Sequence, residues 1–362
     1  MTIDRHVSSM CVPRHRSGEK AMRRRAAAHA ALLLHCWRLH GVMSVIRVHL
    51  VPHSHTDPGW LNTYDMYYGR DVKPILTAVV RGLEGAPNRT FVWSETCFFA
   101  RWYAEQSARK RDSVQQLVAS GQLEFVGGGW VQHDEALPTV SGMLESMAEG
   151  HAWLHETFGI RPSVGWQLDP FGHSAASASL LGRMGVSSLV VNRINYNLKY
   201  RWRSARSMEF QWQSAAPCLH WRSLFTHVLH THYSAPKGLD FENTRTGFDP
   251  RVASDKLRAM AHSRAEAYRT SELLMLVGDD FRWHRAANLY PTWERIIAET
   301  NGRTHGGITV QFSTPARYFA ALATAKESLK VPLPSYGGDL LPYADNRESF
   351  WTGFCAPLPN RT

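Results

Sequence analysis

VIRVHLVPHSHTDPGW, residues Val45–Trp60, is the stretch whose reading decides the fold. A β-branched apolar run, Val45–Val51, ends abruptly in two histidines, an aspartate and a Pro-Gly turn. WQLDPFGHS at Trp166–Ser174 repeats the design, with the run Ser163–Leu168 ending at Asp169. Further strand-like runs are Phe91–Ser94, Leu123–Val126, Ser188–Ile194, Leu273–Val277 and Thr309–Phe312. Helical spacing fills most intervals: Asp71–Leu83, Cys97–Ser120, Ser141–Phe158, Ser174–Met184, Ser254–Arg269, Thr292–Asn301 and Pro315–Lys326. Strands alternating with helices imply an α/β fold with right-handed crossovers, closed or doubly wound. The expectation is a seven-stranded, mostly parallel (β/α) barrel-like domain. Ligands in such folds gather at the carboxyl ends of the strands. His53–Asp57, Glu95, Asp169, Arg193 and Asp279–Asp280 all stand at strand ends, so one rim is rich in carboxylates.

The chain has 362 residues, 44% hydrophobic and 20% charged, an ordinary globular composition. Its net charge of +10 suggests nucleic acid, but the distribution argues against that partner. Eight basic residues before Val45, against Asp4 and Glu19, supply six of those charges. No basic helix interleaved with aromatics follows. Residues 1–44 are expected to be a disordered or targeting leader, without a convincing membrane anchor. Residues 45–330 are expected to form the α/β domain, broken at Asn195–Pro250 by a long excursion over the rim. Residues 331–362 are expected to be irregular. Five cysteines without CxxC spacing make neither a zinc framework nor a disulfide scaffold.

His55 and Asp57 lie two apart in an extended segment and so share one side. An imidazole with a carboxylate suits Zn²⁺ better than the all-oxygen ions. The plain alternative is a hydrogen-bonded histidine at a strand end. Asp169 fits a metal ligand and nucleophile, or else a cap for the next helix; His173 fits a structural role. In Gly278-Asp279-Asp280 one carboxyl is expected to face the cleft and, in a partly apolar setting, to act as general acid. The alternative is a solvated turn. Asp169 and such an acid would make the carboxylate pair of glycoside hydrolysis. Trp60, Phe171, Trp130 and Trp351 could form sugar platforms, and Arg193 could pair with Asp169. His227, His230 and His232 are a weaker metal candidate. Asn88-Arg89-Thr90 and Asn360-Arg361-Thr362 fit glycosylation sequons.

HSHTDPGW, the WSE of Trp93–Glu95, the GGW-x-x-x-DEA of Gly128–Ala136, WQLDPFGHS, GDDFR at Gly278–Arg282 and the YAD…FWTGF of Tyr343–Phe354 occur in the order found in glycoside hydrolase family 38, the class II α-mannosidases, which the chain resembles from Val45 to Phe354. DPGW, GDDFR and NRINYNLKYRW resemble the Golgi branch. The resemblance implies a zinc-dependent retaining enzyme that trims mannose from N-glycans in the secretory pathway, at the Golgi lumen. His55, Asp57 and Asp169 then match zinc ligands, Asp169 also the nucleophile, and Asp280 the general acid/base. Trp60, Phe171, Arg193, Tyr233, Asp279 and Trp351 match positions lining the mannose site. The family's fourth zinc ligand comes from an HHD motif that this sequence lacks, and CAPLPNRT replaces the expected residues after FWTGF. Weakened zinc binding and little or no turnover are therefore expected. Two alternatives are a non-catalytic mannose-binding remnant and a metal-dependent carbohydrate deacetylase.

Overall fold

β1 (Ile46–Pro52) pairs in parallel with two strands far along the chain, and this pairing organises the molecule. A computed structural model describes residues 45–213, 223–242, 248–303, 307–329 and 332–353. The strands that follow β1 are β2 (Phe91–Trp93), β3 (Leu123–Phe125), β4 (Val164–Gln167) and β5 (Ser188–Val191). Next come β6 (Glu209–Trp212), β7 (Leu224–Val228), β8 (Glu272–Val277) and β9 (Ile308–Phe312). All seven runs expected from the sequence form strands.

They do not join into one seven-stranded ladder. The described residues form a parallel β8-β1-β9 sheet, a parallel β2-β3 pair and a five-stranded sheet ordered β10-β6-β7-β5-β4, where β10 is Ser335–Tyr336. Within the last, β6 and β7 run antiparallel. Short contacts bridge the pieces, including His53 beside Val92 and the Gly127 N–H donating to the Val164 carbonyl at 2.7 Å. Val51, Val92, Val126, Trp166, Val190 and Leu276 nevertheless share one buried apolar cluster with Tyr318 and Leu322. Strands covered on both faces read as continuous apolar runs, which is why they were legible.

Two stretches differ from expectation. Asn195–Pro250 contains helix Tyr196–Ser204 as well as β6 and β7, rather than only an excursion. Its strands carry Glu209 and His227, buried against each other at 3.0 Å, so their burial does not show as hydrophobicity. The expected helix Cys97–Ser120 is two, Thr96–Ala104 and Ala108–Ala119, with Ser107 accepting from the Lys110 N–H to start the second. Residues 1–44 and the Asn360 sequon lie outside the described residues. Asn88 is exposed in a turn before β2. Beyond β10, Ala344–Asn346 and Ser349–Phe350 form a small antiparallel pair. Among the described residues no helix is long and apolar enough to cross a membrane.

Candidate active site

The register of β1 on β8 assembles the first half of the site. Regular pairing ends at Pro52 opposite Val277, then resumes in the same register at His55 opposite Asp280. The His55 N–H donates to the Asp279 carbonyl at 3.2 Å and the Phe281 N–H to the His55 carbonyl at 2.8 Å. Gly278 permits this approach, since a Cβ there would lie 2.0 Å from the His53 carbonyl oxygen. Phe281 and Trp283 then take left-handed backbone, at φ 49° and 79°. Glu242 holds that turn, accepting from the N–H groups of Trp283 (2.8 Å) and Arg285 (3.1 Å).

β4 supplies the second half. Asp169 follows buried Leu168, and its N–H donates to Gln132 Oε1 at 3.3 Å. Glu135 anchors the rest of the DPFGHS loop, pairing with His173 Nδ1 at 2.8 Å and accepting from the Ser174 N–H at 2.8 Å. Ser174, not Asp169, caps helix Ala175–Arg183. His173 is buried and structural, as expected.

His55, Asp57 and Asp169 converge, with one ligand atom from each lying within 4.8 Å of the others. His55 Nε2 is 3.2 Å from Asp57 Oδ1 and 3.5 Å from Asp169 Oδ2; its Nδ1 is 3.8 Å from Glu95 Oε1. Burial opposes a proton on His55, but Asp169, Asp57 and Glu95 outweigh it and hold the imidazole's pKa well above its usual value. Burial would also raise Asp169, yet His55 and Arg193 keep it at about 2. Arg193 donates to Asp169 Oδ1 from Nε at 2.8 Å and Nη2 at 2.5 Å. Tyr233, buried, reaches both Asp169 Oδ1 (3.0 Å) and Asp280 Oδ1 (2.8 Å). Asp280 is raised by partial desolvation and by Asp279 and Asp169, against the pull of His55 and Tyr233.

The other expected residues divide. Phe171 meets Trp351 edge-on at 4.9 Å, and the Arg193 guanidinium lies over both rings, at 5.2 and 5.1 Å. Asp279 accepts from the Asp280 N–H at 3.0 Å. Trp60 stands 67% exposed, and among the described residues its ring meets no other aromatic ring. Trp130 packs against the core instead of the rim. His227, His230 and His232 are not part of any metal-like cluster among the described residues. Glu95 was missed as a site residue. It is buried, holds Thr56 Oγ1 at 3.0 Å, leaves Oε1 without a hydrogen bond, and is pushed up to about 7 by burial. The signal was present in Trp93-Ser94-Glu95, a carboxyl at the end of an apolar strand.

The residues fit a divalent cation. The His55 imidazole faces the Asp57, Asp169 and Glu95 carboxyls, and the His/Asp/Asp donor atoms converge closely enough to ligate one metal ion. The cavity beside them, about 140 Å³, is lined by Asp57, Glu95, Gln132, Asp134, Asp169 and Phe171 among others.

Residues 45–346 match the family model of the glycosyl hydrolases family 38 N-terminal domain. Alpha-mannosidase 2 of Drosophila melanogaster is 33% identical over 343 residues, covering 87% of this chain and 31% of that protein. Alpha-mannosidase At3g26720 of Arabidopsis thaliana is 37% identical over 334 residues, covering 87% and 32%. In structure, an alpha-mannosidase from Enterococcus faecalis V583 superposes with a TM-score of 0.64 at 19% identity, covering 81% of this chain and 31% of that one. The chain thus spans about a third of the length of the curated relatives it matches.

Proposed function

The chain belongs to glycoside hydrolase family 38, and from that premise we propose that its rim cluster hydrolyses α-linked mannose in N-glycans with retention of configuration, in the Golgi lumen or another secretory compartment. The Tyr233 hydroxyl between Asp169 and Asp280 carries this reading. It lies within donating reach of both carboxyls, and its single proton can serve only one of them at a time. Their surroundings push the two apart: His55 and Arg193 hold Asp169 low, while burial raises Asp280, which suits the first as nucleophile and the second as acid. Laid end to end, the two contacts bound the oxygen–oxygen separation at about 5.8 Å, which favours the retaining spacing of about 5–5.5 Å over the inverting one.

In the first step Asp169 attacks the anomeric carbon while Asp280 protonates the departing oxygen. In the second, Asp280 takes a proton from water, which displaces Asp169 from the sugar. Arg193 holds the Asp169 carboxylate in place, and Phe171 with Trp351 offers an apolar wall to the ring. Zn²⁺ bound by His55, Asp57 and Asp169 would supply Lewis-acid attraction for the sugar hydroxyls. The barrel-like closure of the strands belongs to the same reading, supported by their shared apolar cluster. Purified protein with added zinc and an aryl α-mannoside tests it, the product anomer being followed by NMR. Initial α-mannose release that Asp169→Ala abolishes supports the proposal; mannose binding without turnover, or release of acetate from an acetylated sugar, overturns it.

A further inference from the structure

Next to the carboxylate cluster, the loops after β5 and β7 enclose a second cavity of about 250 Å³ whose charge is reversed. Lys199 and Arg203, from helix Tyr196–Ser204, line it together with Arg193, and its acidic side chain is Asp345, already accepting from Tyr343 Oη at 3.0 Å. Lys199 Nζ donates only to uncharged oxygens: the Asn192 carbonyl (2.8 Å), Asn192 Oδ1 (3.2 Å) and the Thr231 carbonyl (2.8 Å). Arg203 donates through Nη2 to the His230 carbonyl, while its Nε and the Asn192 Nδ2 are buried without an acceptor. Behind Thr231 stands Arg264, donating to Oγ1 at 3.1 Å. Among the described residues none of Lys199, Arg203 and Arg264 forms an ion pair. Burial, then Arg203 and Arg193, push the Lys199 ammonium down to about 7.

Lys199, Arg203 and Arg264, largely out of water with the single carboxylate of Asp345 on the cavity wall, are costly to hold together, and a bound anion reduces that cost. An ammonium and a guanidinium one turn apart on helix Tyr196–Ser204, with an amide from the segment after β5, suit an anion with oxygens in several directions better than a planar carboxylate. We infer that this cavity binds a phosphate group, either free or esterified to a sugar. Because Arg193 reaches Asp169 from the same wall, an occupant would lie beside the sugar site. The inference does not depend on mannoside cleavage, since its readout is binding.

Calorimetry and thermal melting of the full chain, at constant ionic strength with chelator present, would be run with inorganic phosphate, methyl phosphate, mannose 6-phosphate and acetate. Saturable phosphate binding that raises the melting midpoint, with acetate at least about 10-fold weaker, is the expected result. Equal binding of phosphate and methyl phosphate points to the free anion, and mannose 6-phosphate at least about 10-fold tighter points to the sugar ester. Arg203→Met should abolish binding. His232→Glu, at an exposed position on the cavity wall, adds a negative charge beside the cations and should weaken binding at least about 10-fold. No saturable response, or one unchanged in folded His232→Glu, overturns the proposal.

Discussion

Two of the buried histidines on β1 and the segment that continues it, His49 and His55, have opposite fates. His49 meets one carboxylate, and that carboxylate is fully used. Glu272 accepts from Arg47 Nε at 2.7 Å through one oxygen and pairs with His49 Nε2 at 3.0 Å through the other, while His49 Nδ1 pairs with Ser313 Oγ at 2.8 Å. Every partner is matched, and burial depresses the His49 pKa. His55, six residues on, faces Asp57, Glu95 and Asp169, and its pKa rises. The first cluster completes itself and so stabilises. The second brings Asp57, Glu95 and Asp169 around one imidazole and leaves Glu95 Oε1 without a hydrogen bond, so its donor atoms are not used up among themselves. Donor atoms left open, rather than the number of polar groups, separate the site from the scaffold.

If that distinction holds, perturbations of the two clusters should separate cleanly. The largest effect is expected at the rim: Asp169→Ala should lower aryl α-mannoside turnover at least about 10³-fold, or about 4 kcal/mol, in steady-state assays while the melting midpoint stays near wild type. Glu272→Gln is the reverse case. Removing one partner of a buried pair costs about 3–5 kcal/mol, and half-exposed Arg47 softens this to about 2–3 kcal/mol in urea unfolding, with zinc affinity unchanged by calorimetry. A loss of zinc binding in Glu272→Gln would break the comparison. Glu95→Gln sharpens it from the other side. A carboxyl that orients a metal-bound imidazole is worth about 10–100-fold in metal affinity. Zinc titration should show that loss, and unfolding in chelator should show little.

The same distinction explains what the sequence disclosed. Asp57, Asp169 and Asp280 were legible because each interrupts or ends an apolar run, where a carboxylate has no structural reason to be. Strands β1, β4 and β8 were legible for the complementary reason, their unbroken hydrophobicity. β6 and β7 were not, because Glu209 and His227 are buried as a matched pair and mimic surface polarity. Tyr233 came only from family resemblance: its contacts to Asp169 and Asp280 cross elements that no local pattern connects. Glu95 and Gln132 line the cavity and Glu135 anchors the loop beside it, and local sequence does not record which carboxyl faces which histidine. The register that sets His55 beside Asp280 is likewise a property of paired strands.

The smallest expected effect is on pH dependence, and it tests the matched cluster alone. The folded state lowers the His49 pKa from 6.5, so the unfolded chain binds more protons as the pH falls below that value. The contribution of His49 is therefore fully present above about pH 6.5 and is lost on acidification toward the folded pKa. Other buried histidines, His53 at about 4 among them, act in the same direction, so the wild-type curve reports their sum. Comparing urea unfolding of wild type and His49→Gln between pH 7.5 and 5.5 isolates one member. The variant should be less stable at pH 7.5 yet lose less on acidification. If its slope matches wild type, His49 takes up its proton as readily in the folded state as in the unfolded one, and the matched cluster is less neutral than its hydrogen bonds imply.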